Sequence, residues 1–223
     1  MKRTLLFVTG TDTGVGKTVL TCLLARHFYA TNRPVAALKP LCSGDRSDAI
    51  AQRDAVGGSL TLDEINPWHF RRPLSPLLAA RAEKRVVTPA QVTAHVQRIQ
   101  KRFPVVLIEG AGGLLSPLGE SFDSRDLIKS LRAKPIIVGR NQLGALNQVR
   151  LVLAALPAGI AGRSEIVLMN PKEPDAASRS NPDLLGEIVG RERIHVLPWL
   201  ESPHASINRR VGSVLDSLIQ RLV

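Results

Sequence analysis

The stretch VTGTDTGVGKTVLT, from Val8 to Thr21, decides how the rest of this 223-residue chain is read. Gly16-Lys17-Thr18 ends it as a phosphate-binding loop ends, but the spacing G-x-x-x-x-G-K-[ST] would put the first glycine at position 11. Thr11 stands there, and the glycine comes one residue earlier, at Gly10. The apolar run before the loop reads as a strand, Thr4–Thr9, and the residues after it as a helix, Lys17–Ala30. In that setting the loop's backbone N–H groups and the helix N-terminus point at phosphates. Lys17 would reach the β- and γ-phosphates, and the Thr18 hydroxyl would ligate Mg²⁺.

Outward from the loop, short apolar runs alternate with amphipathic stretches, the pattern of βαβ units. Further strands are expected at Val35–Lys39, Val105–Glu109, Ile136–Gly139, Glu165–Met169 and Ile194–Leu197. Most are continuously apolar, as strands covered on both faces are. Further helices are expected at Asp48–Val56, Thr88–Lys101, Ser124–Leu131, Ala145–Leu156, Pro182–Val189 and Ser206–Leu222. Thr88-Pro89 is a start signal, with threonine as N-cap and proline in the first turn. Asn170–Pro182 reads as an exposed loop. The expected fold is therefore α/β: a single-domain P-loop NTPase-like fold over residues 1–223, mainly parallel sheet with helices on both faces.

Two more stretches belong with the loop. VVLIEGAGG, Val105 to Gly113, is a buried strand ending in a carboxylate, which puts Glu109 at the carboxyl edge where open parallel sheets bind ligands. Glu109 would hold Mg²⁺ directly or through water, and Gly110, Gly112 and Gly113 would let the backbone approach a phosphoryl group, with Gly110, Ala111 and Gly112 among the nucleotide-binding residues. Taken alone, the stretch reads equally well as a tight turn after a strand. LKPLCSG, Leu38 to Gly44, ends the second strand at the same edge, where Pro40 stiffens the loop and Lys39 is aimed into the site. Ser43 offers a hydroxyl nearby. Asp48 is either a second Mg²⁺ carboxylate or a helix-start charge favoured by the dipole.

As a set, G-T-D-T-x-V-G-K-T, K-P-x-x-S-G and E-G-A-G-G followed by x-x-x-P-L (Leu114–Leu118) resemble the dethiobiotin synthetases. In the same order come SPLLAA (Ser75–Ala80), QLGALN (Gln142–Asn147), Asn170 and LPWL (Leu197–Leu200), so the resemblance covers nearly the whole chain. That family's loop is G-x₅-G-K-T, which accounts for the displaced Gly10. The resemblance implies an ATP- and Mg²⁺-dependent ligase of biotin biosynthesis that carboxylates 7,8-diaminopelargonate with CO₂ and closes the ureido ring. It implies Lys39, Lys17 and Thr13 at the chemistry, and Thr13, Gly14, Val15, Gly16, Lys17, Thr18 and Val19 around the phosphates. Thr18, Asp48 and Glu109 would hold the metal, and Thr11 to Thr13 would bring donors to the carbamate side of the γ-phosphate. Asn170 would read the adenine edge, with Leu197, Pro198 and Trp199 closing that pocket. Ser43, Ser75 and Pro76 would meet the substrate, and Ala145, Leu146 and Asn147 would reach the substrate carboxylate of a homodimer partner. Two departures stand out: Gly14 replaces an acidic residue common among relatives, and Tyr29 is the sole tyrosine, so the family's substrate-side tyrosine has no counterpart.

Bulk composition narrows the alternatives. No apolar run approaches membrane length, so a cytoplasmic protein with no membrane partner is expected. Cys22 and Cys42 have neither a disulfide framework nor metal-ligand spacing. Thirty basic against 19 acidic residues give +11, yet the basic residues are scattered and aromatics make up only 4%, poor material for stacking bases. No nucleic-acid partner is expected. The competing reading is a partition-type P-loop ATPase that binds DNA or a protein, but such loops usually carry an extra lysine where this chain has Thr11, Asp12 and Thr13.

Overall fold

The computed structural model describes residues 3–200 and 202–223; the expected span 1–223 thus includes positions 1, 2 and 201, which lie outside the described residues. Six strands form one parallel sheet: β1 (Thr4–Gly10), β2 (Val35–Leu38), β5 (Val105–Glu109), β6 (Lys134–Arg140), β7 (Glu165–Met169) and β8 (Ile194–Leu197), in the order β2-β5-β1-β6-β7-β8. Every expected strand is present, and the α/β expectation holds.

The strands are apolar on both faces because both faces are covered. Phe7, Val106 and Ile108 point to one side, against α5 (Pro89–Gln100), α6 (Ser124–Leu131) and α7 (Ala145–Ala155). Leu6, Val8 and Leu107 point to the other, against α1 (Lys17–Ala30) and α10 (Arg209–Leu222). Thr88 caps α5 as expected, its side chain accepting from Gln91 N at 3.3 Å while the Gln91 side chain bonds back.

Other elements were not legible in the sequence. A second, two-stranded sheet pairs β3 (Leu41–Ser43) with β4 (Trp68–Phe70) in parallel. Three-residue strands carry no readable alternation, and Cys42 lies buried on β3 instead of in a loop. Helices α3 (Leu62–Ile65), α4 (Pro76–Ala82) and α8 (Ala158–Ala161) are similarly short.

One expectation is overturned. The segment after Asn170 is not an exposed loop as far as Pro182: α9 runs Ala176–Val189, with Pro182 inside it. Asp175 starts the helix early by accepting from Ser178 N at 2.7 Å. Proline has no N–H for the carbonyl four residues back, but that carbonyl, Ser178 O, is taken by the side chain of Asn141 at 2.7 Å. The usual cost of an interior proline is thereby offset.

At the amino end of the sheet, buried Glu165 opens β7 and accepts from Arg221 Nε at 2.9 Å, with His195 Nε2 3.1 Å from the same oxygen. Burial alone would push this carboxyl up, but the hydrogen bonds from His195 and Arg221 outweigh it and hold it below the usual range. The carboxylate therefore stabilises the fold above the ordinary glutamate pKa, and that stability is lost as pH falls through the lower folded value. Glu165→Gln is expected to lower unfolding free energy by about 1–3 kcal/mol at pH 7. The gap between parent and variant should close as urea titrations are repeated below about pH 4; a gap independent of pH would refute this account.

Candidate functional site

The register of the sheet builds the site. Leu38 on β2 pairs with Ile108 on β5, and Val8 on β1 pairs with Glu109. The next residue after β2, Lys39, therefore meets Glu109 at the carboxyl edge, next to the loop that leaves β1. The Lys39 backbone is tied by N–H donation to Ile65 O at 3.0 Å, and its carbonyl accepts from Asn66 Nδ2 at 2.7 Å.

Lys39 is 4% exposed. Its Nζ lies 2.6 Å from Glu109 Oε1, 2.8 Å from Asp48 Oδ2 and 3.3 Å from Gly110 O. Burial alone would lower its pKa, but Glu109 and then Asp48 outweigh it, so the ammonium is held protonated above the usual lysine range. Asp48 is in the first turn of α2 (Ser47–Ala55). Burial pushes it up, and Lys39 and the Thr18 hydroxyl bring it below the usual carboxylate range. Thr18 Oγ1 lies 2.8 Å from both Asp48 Oδ1 and Glu109 Oε1; with a single proton it donates to one of them at a time.

This is a cluster of hard oxygen donors, the chemistry a divalent cation such as Mg²⁺ takes. Among the described residues no three His, Cys, Asp or Glu side chains are placed to hold a metal on their own. A cation here would need further oxygens, as Mg²⁺ does when it bridges carboxylates to phosphates.

The loop itself is compact. Lys17 Nζ turns back to donate to Asp12 O at 2.7 Å, while Thr13 N donates to Asp12 Oδ1 at 2.6 Å. Burial, and then repulsion from Lys39, lower Lys17 to about 8. The glycine at position 10 has a steric reason: a Cβ there would lie 2.7 Å from Val15 Cγ2. Gly14 and Gly16 take left-handed φ of +69° and +99°. The Gly14 carbonyl accepts from Arg140 at 2.9 Å and 3.2 Å, so a guanidinium from β6 clamps the loop. Thr11 Oγ1 is buried beside Gly139 with no hydrogen-bond partner among the described residues.

Beside the loop is a cleft of about 400 Å³ lined by Gly14, Val15, Gly16, Val19, Asn170 and Trp199 together with Arg140, Asn141, Met169 and Lys172. Leu197 and Pro198 do not line it: Leu197 is fully buried, its carbonyl accepting from Asn170 N at 2.9 Å, and Pro198 joins it to Trp199, which is half exposed. Gly110 and Gly112 follow Glu109, and Thr13 Oγ1 would be 3.8 Å from a Cβ on Gly112. Ala111 lies between these glycines, partly buried against the core. Ser43 is tied by its hydroxyl to Leu74 O, next to Ser75, the N-cap of α4, and Pro76, its first residue.

Ala145, Leu146 and Asn147 form the first turn of α7 after Gly144. The next residues of α7, Gln148 and Leu151, line an open groove together with Thr11, Asp12 and Leu115. Leu115, Leu143 and Leu151 are all more than half exposed along that side.

Three participants went unread in the sequence. Gln52, wholly buried, donates Nε2 to Glu109 Oε2 at 2.6 Å. It sits four residues after Asp48 on α2, so helical spacing alone would have placed it on the same face. Arg140 and Asn141 carried no such signal. Gln52→Met removes the only donor found on Glu109 Oε2 among the described residues while keeping the volume. It should cost about 1–3 kcal/mol of stability in urea titrations; an unchanged midpoint would mean that the contact contributes nothing.

Comparison with known proteins places the chain in a family. A family profile described as "AAA domain" matches residues 4–205. An ATP-dependent dethiobiotin synthetase of Anaeromyxobacter dehalogenans is 38% identical over 220 residues, covering 96% of this chain and 98% of the relative. The Bacillus subtilis protein of the same name is 36% identical over 200 residues, 87% of each chain. Among solved structures, a ParA family ATPase from Chlorobium tepidum superposes with a TM-score of 0.61 at 14% identity, covering 97% of this chain and 98% of that one. A chain of the MinC:MinD cell division protein complex of Aquifex aeolicus gives 0.62 at 14% identity, covering 97% of this chain and 94% of that one. At such identities these two likenesses speak for the P-loop fold alone. The two synthetases match this chain over most of its length, and the chain belongs to the ATP-dependent dethiobiotin synthetase family.

Proposed function

We propose that this chain acts as one domain, 1–223, that uses ATP and Mg²⁺ to carboxylate 7,8-diaminopelargonate with CO₂ and close it to dethiobiotin. The observation that carries the reading is the Lys39 ammonium held at the sheet edge between Glu109 and Asp48, beside the loop of Lys17 and Thr18.

The problem to solve is electrostatic. One substrate amine adds to CO₂ and loses a proton, giving a carbamate anion. That anion must then attack the γ-phosphorus of ATP, another anion. Lys39 and Lys17 supply positive charge where the two meet. Thr18, Asp48 and Glu109 would hold Mg²⁺, which when bound supplies charge neutralisation on the phosphates. The loop amides from Thr13 to Val19 cradle the phosphates and keep the γ-phosphoryl group in line. Attack forms the carbamate–phosphate bond and breaks the bond to ADP. The second amine then attacks the carbonyl carbon, closing the ring and releasing phosphate.

Asn170 reads the adenine edge in the cleft, closed by Trp199. Ser43, Ser75 and Pro76 lie along the substrate. A second copy of the chain would present its α7 start, Ala145 to Asn147, to the substrate carboxylate, since a helix N-terminus suits an anion. The exposed leucines flanking that helix support a homodimer. No described helix is long and apolar enough to cross a membrane, in keeping with a cytoplasmic enzyme.

The direct test is to incubate the protein with ATP, Mg²⁺, bicarbonate and 7,8-diaminopelargonate and to detect dethiobiotin by mass. ATP hydrolysis that rises with DNA and ignores the diamine would favour the partition-ATPase reading instead. Lys39→Ala should leave ATP affinity within a few-fold of the parent while kcat falls roughly 10²–10³-fold, the scale of removing one charge-stabilising group. Turnover like the parent's would sink the role given to Lys39.

A further inference from the structure

Three asparagines meet behind the nucleotide cleft, and backbone carbonyls determine which way their amides face. A carbonyl oxygen only accepts. Ser178 O has no helical partner, because Pro182 lacks an N–H, and it is bonded by Asn141 at 2.7 Å. The atom of Asn141 facing it must therefore be Nδ2, which leaves Oδ1 to accept from Asn181 Nδ2 at 3.0 Å. Asn181 is oriented independently, since its Nδ2 also donates to Gln142 O at 3.0 Å. Asn141 and Asn181 are 1% and 5% exposed, so water does not compete for them.

The second hydrogen of Asn141 Nδ2 goes to Asn170 at 2.7 Å, and the atom receiving it must be Oδ1. The two ends of an amide are fixed relative to one another. With Oδ1 held at the back, Asn170 Nδ2 is left for the cleft that the residue lines, and it donates to no described residue.

We propose that Asn141 sets the direction of the Asn170 amide, so that a donor faces the nucleobase and selects purines through N7. The inference rests on the nucleotide reading above, with the base in this cleft. The N7 edge is an acceptor in both adenine and guanine, so a fixed donor distinguishes purines from rings lacking that nitrogen. Asn141 is a positioning residue: it borders the cleft, but its amide is taken up by Ser178 O, Asn170 and Asn181, so it acts through Asn170.

The probes are ATP and 7-deaza-ATP, in which N7 is replaced by C–H, with binding to the Mg²⁺-loaded full chain measured by calorimetry. The parent should bind 7-deaza-ATP about tenfold more weakly, the loss expected for one hydrogen bond. In Asn141→Ala the Asn170 amide is released, and the two nucleotides should bind within about twofold of each other. Asn170→Ala should weaken ATP binding and abolish the preference. If Asn170→Ala behaves so but Asn141→Ala keeps the full preference, the role of Asn141 is overturned while the nucleotide reading stands. If Asn170→Ala leaves ATP binding untouched and the parent shows no preference, the nucleotide reading of this cleft fails as well. Should Asn141→Ala not fold, the parent alone decides by nuclear magnetic resonance. Contacts from the Asn170 side-chain NH₂ protons to the purine H8 support the proposal. The same NH₂ facing Asn141 instead overturns it.

Discussion

A buried ammonium lodged between two carboxylates governs the working edge of this protein. Neither charge would be tolerated alone at such depth, since an isolated buried ion carries a desolvation cost that only close pairing offsets. Lys39, Glu109 and Asp48 solve the problem jointly, and the parallel register of β2 against β5 brings the first two together. The pairing has a consequence for the proposed reaction: Lys39 stays charged and Asp48 stays ionised, the states that would suit anionic reactants and a cation.

Supports around that trio come from elements distant in the chain. Helix α2 contributes Asp48 to the site and, one turn later, Gln52 to the far oxygen of Glu109. The phosphate loop is shaped by a glycine that avoids Val15 and by a guanidinium from β6 that holds the Gly14 carbonyl. Gly14 thus lies against a cation whose Nη2 would be 3.3 Å from any Cβ added there. Rigid backing of this kind matters because positioning, more than covalent chemistry by the protein, is what phosphoryl transfer requires.

Both ends of the sheet bury charge or polarity, for different ends. At the amino end Glu165 is shared by His195 and Arg221 and ties α10 to the sheet, remote from the loops that bind. At the carboxyl end Asn141 joins β6, β7 and α9 and fills the vacancy that Pro182 leaves in its helix. The first arrangement is a matter of stability. The second converts a helix irregularity into a directional hydrogen bond facing a cleft.

The amino-acid order by itself determined the parallel sheet, its six strands and the helices on both faces, because continuous apolar runs bounded by glycine and polar turns admit few other folds. It also determined the phosphate loop, with Lys17 and Thr18, since that chemistry needs consecutive backbone amides at a strand-to-helix junction. Lys39 and Glu109 were legible as strand-end residues, and Glu109 and Asp48 each had a blander alternative attached. Only the tertiary structure shows that the carboxylates at 48 and 109 lie within hydrogen-bonding distance of the ammonium at 39, through strand order, register and the placement of α2. Arg140, Asn141 and the short β3–β4 pair were beyond sequence reading for a common reason. Each depends on partners tens of residues away, and hydrogen bonds formed across that separation leave no local period in the chain.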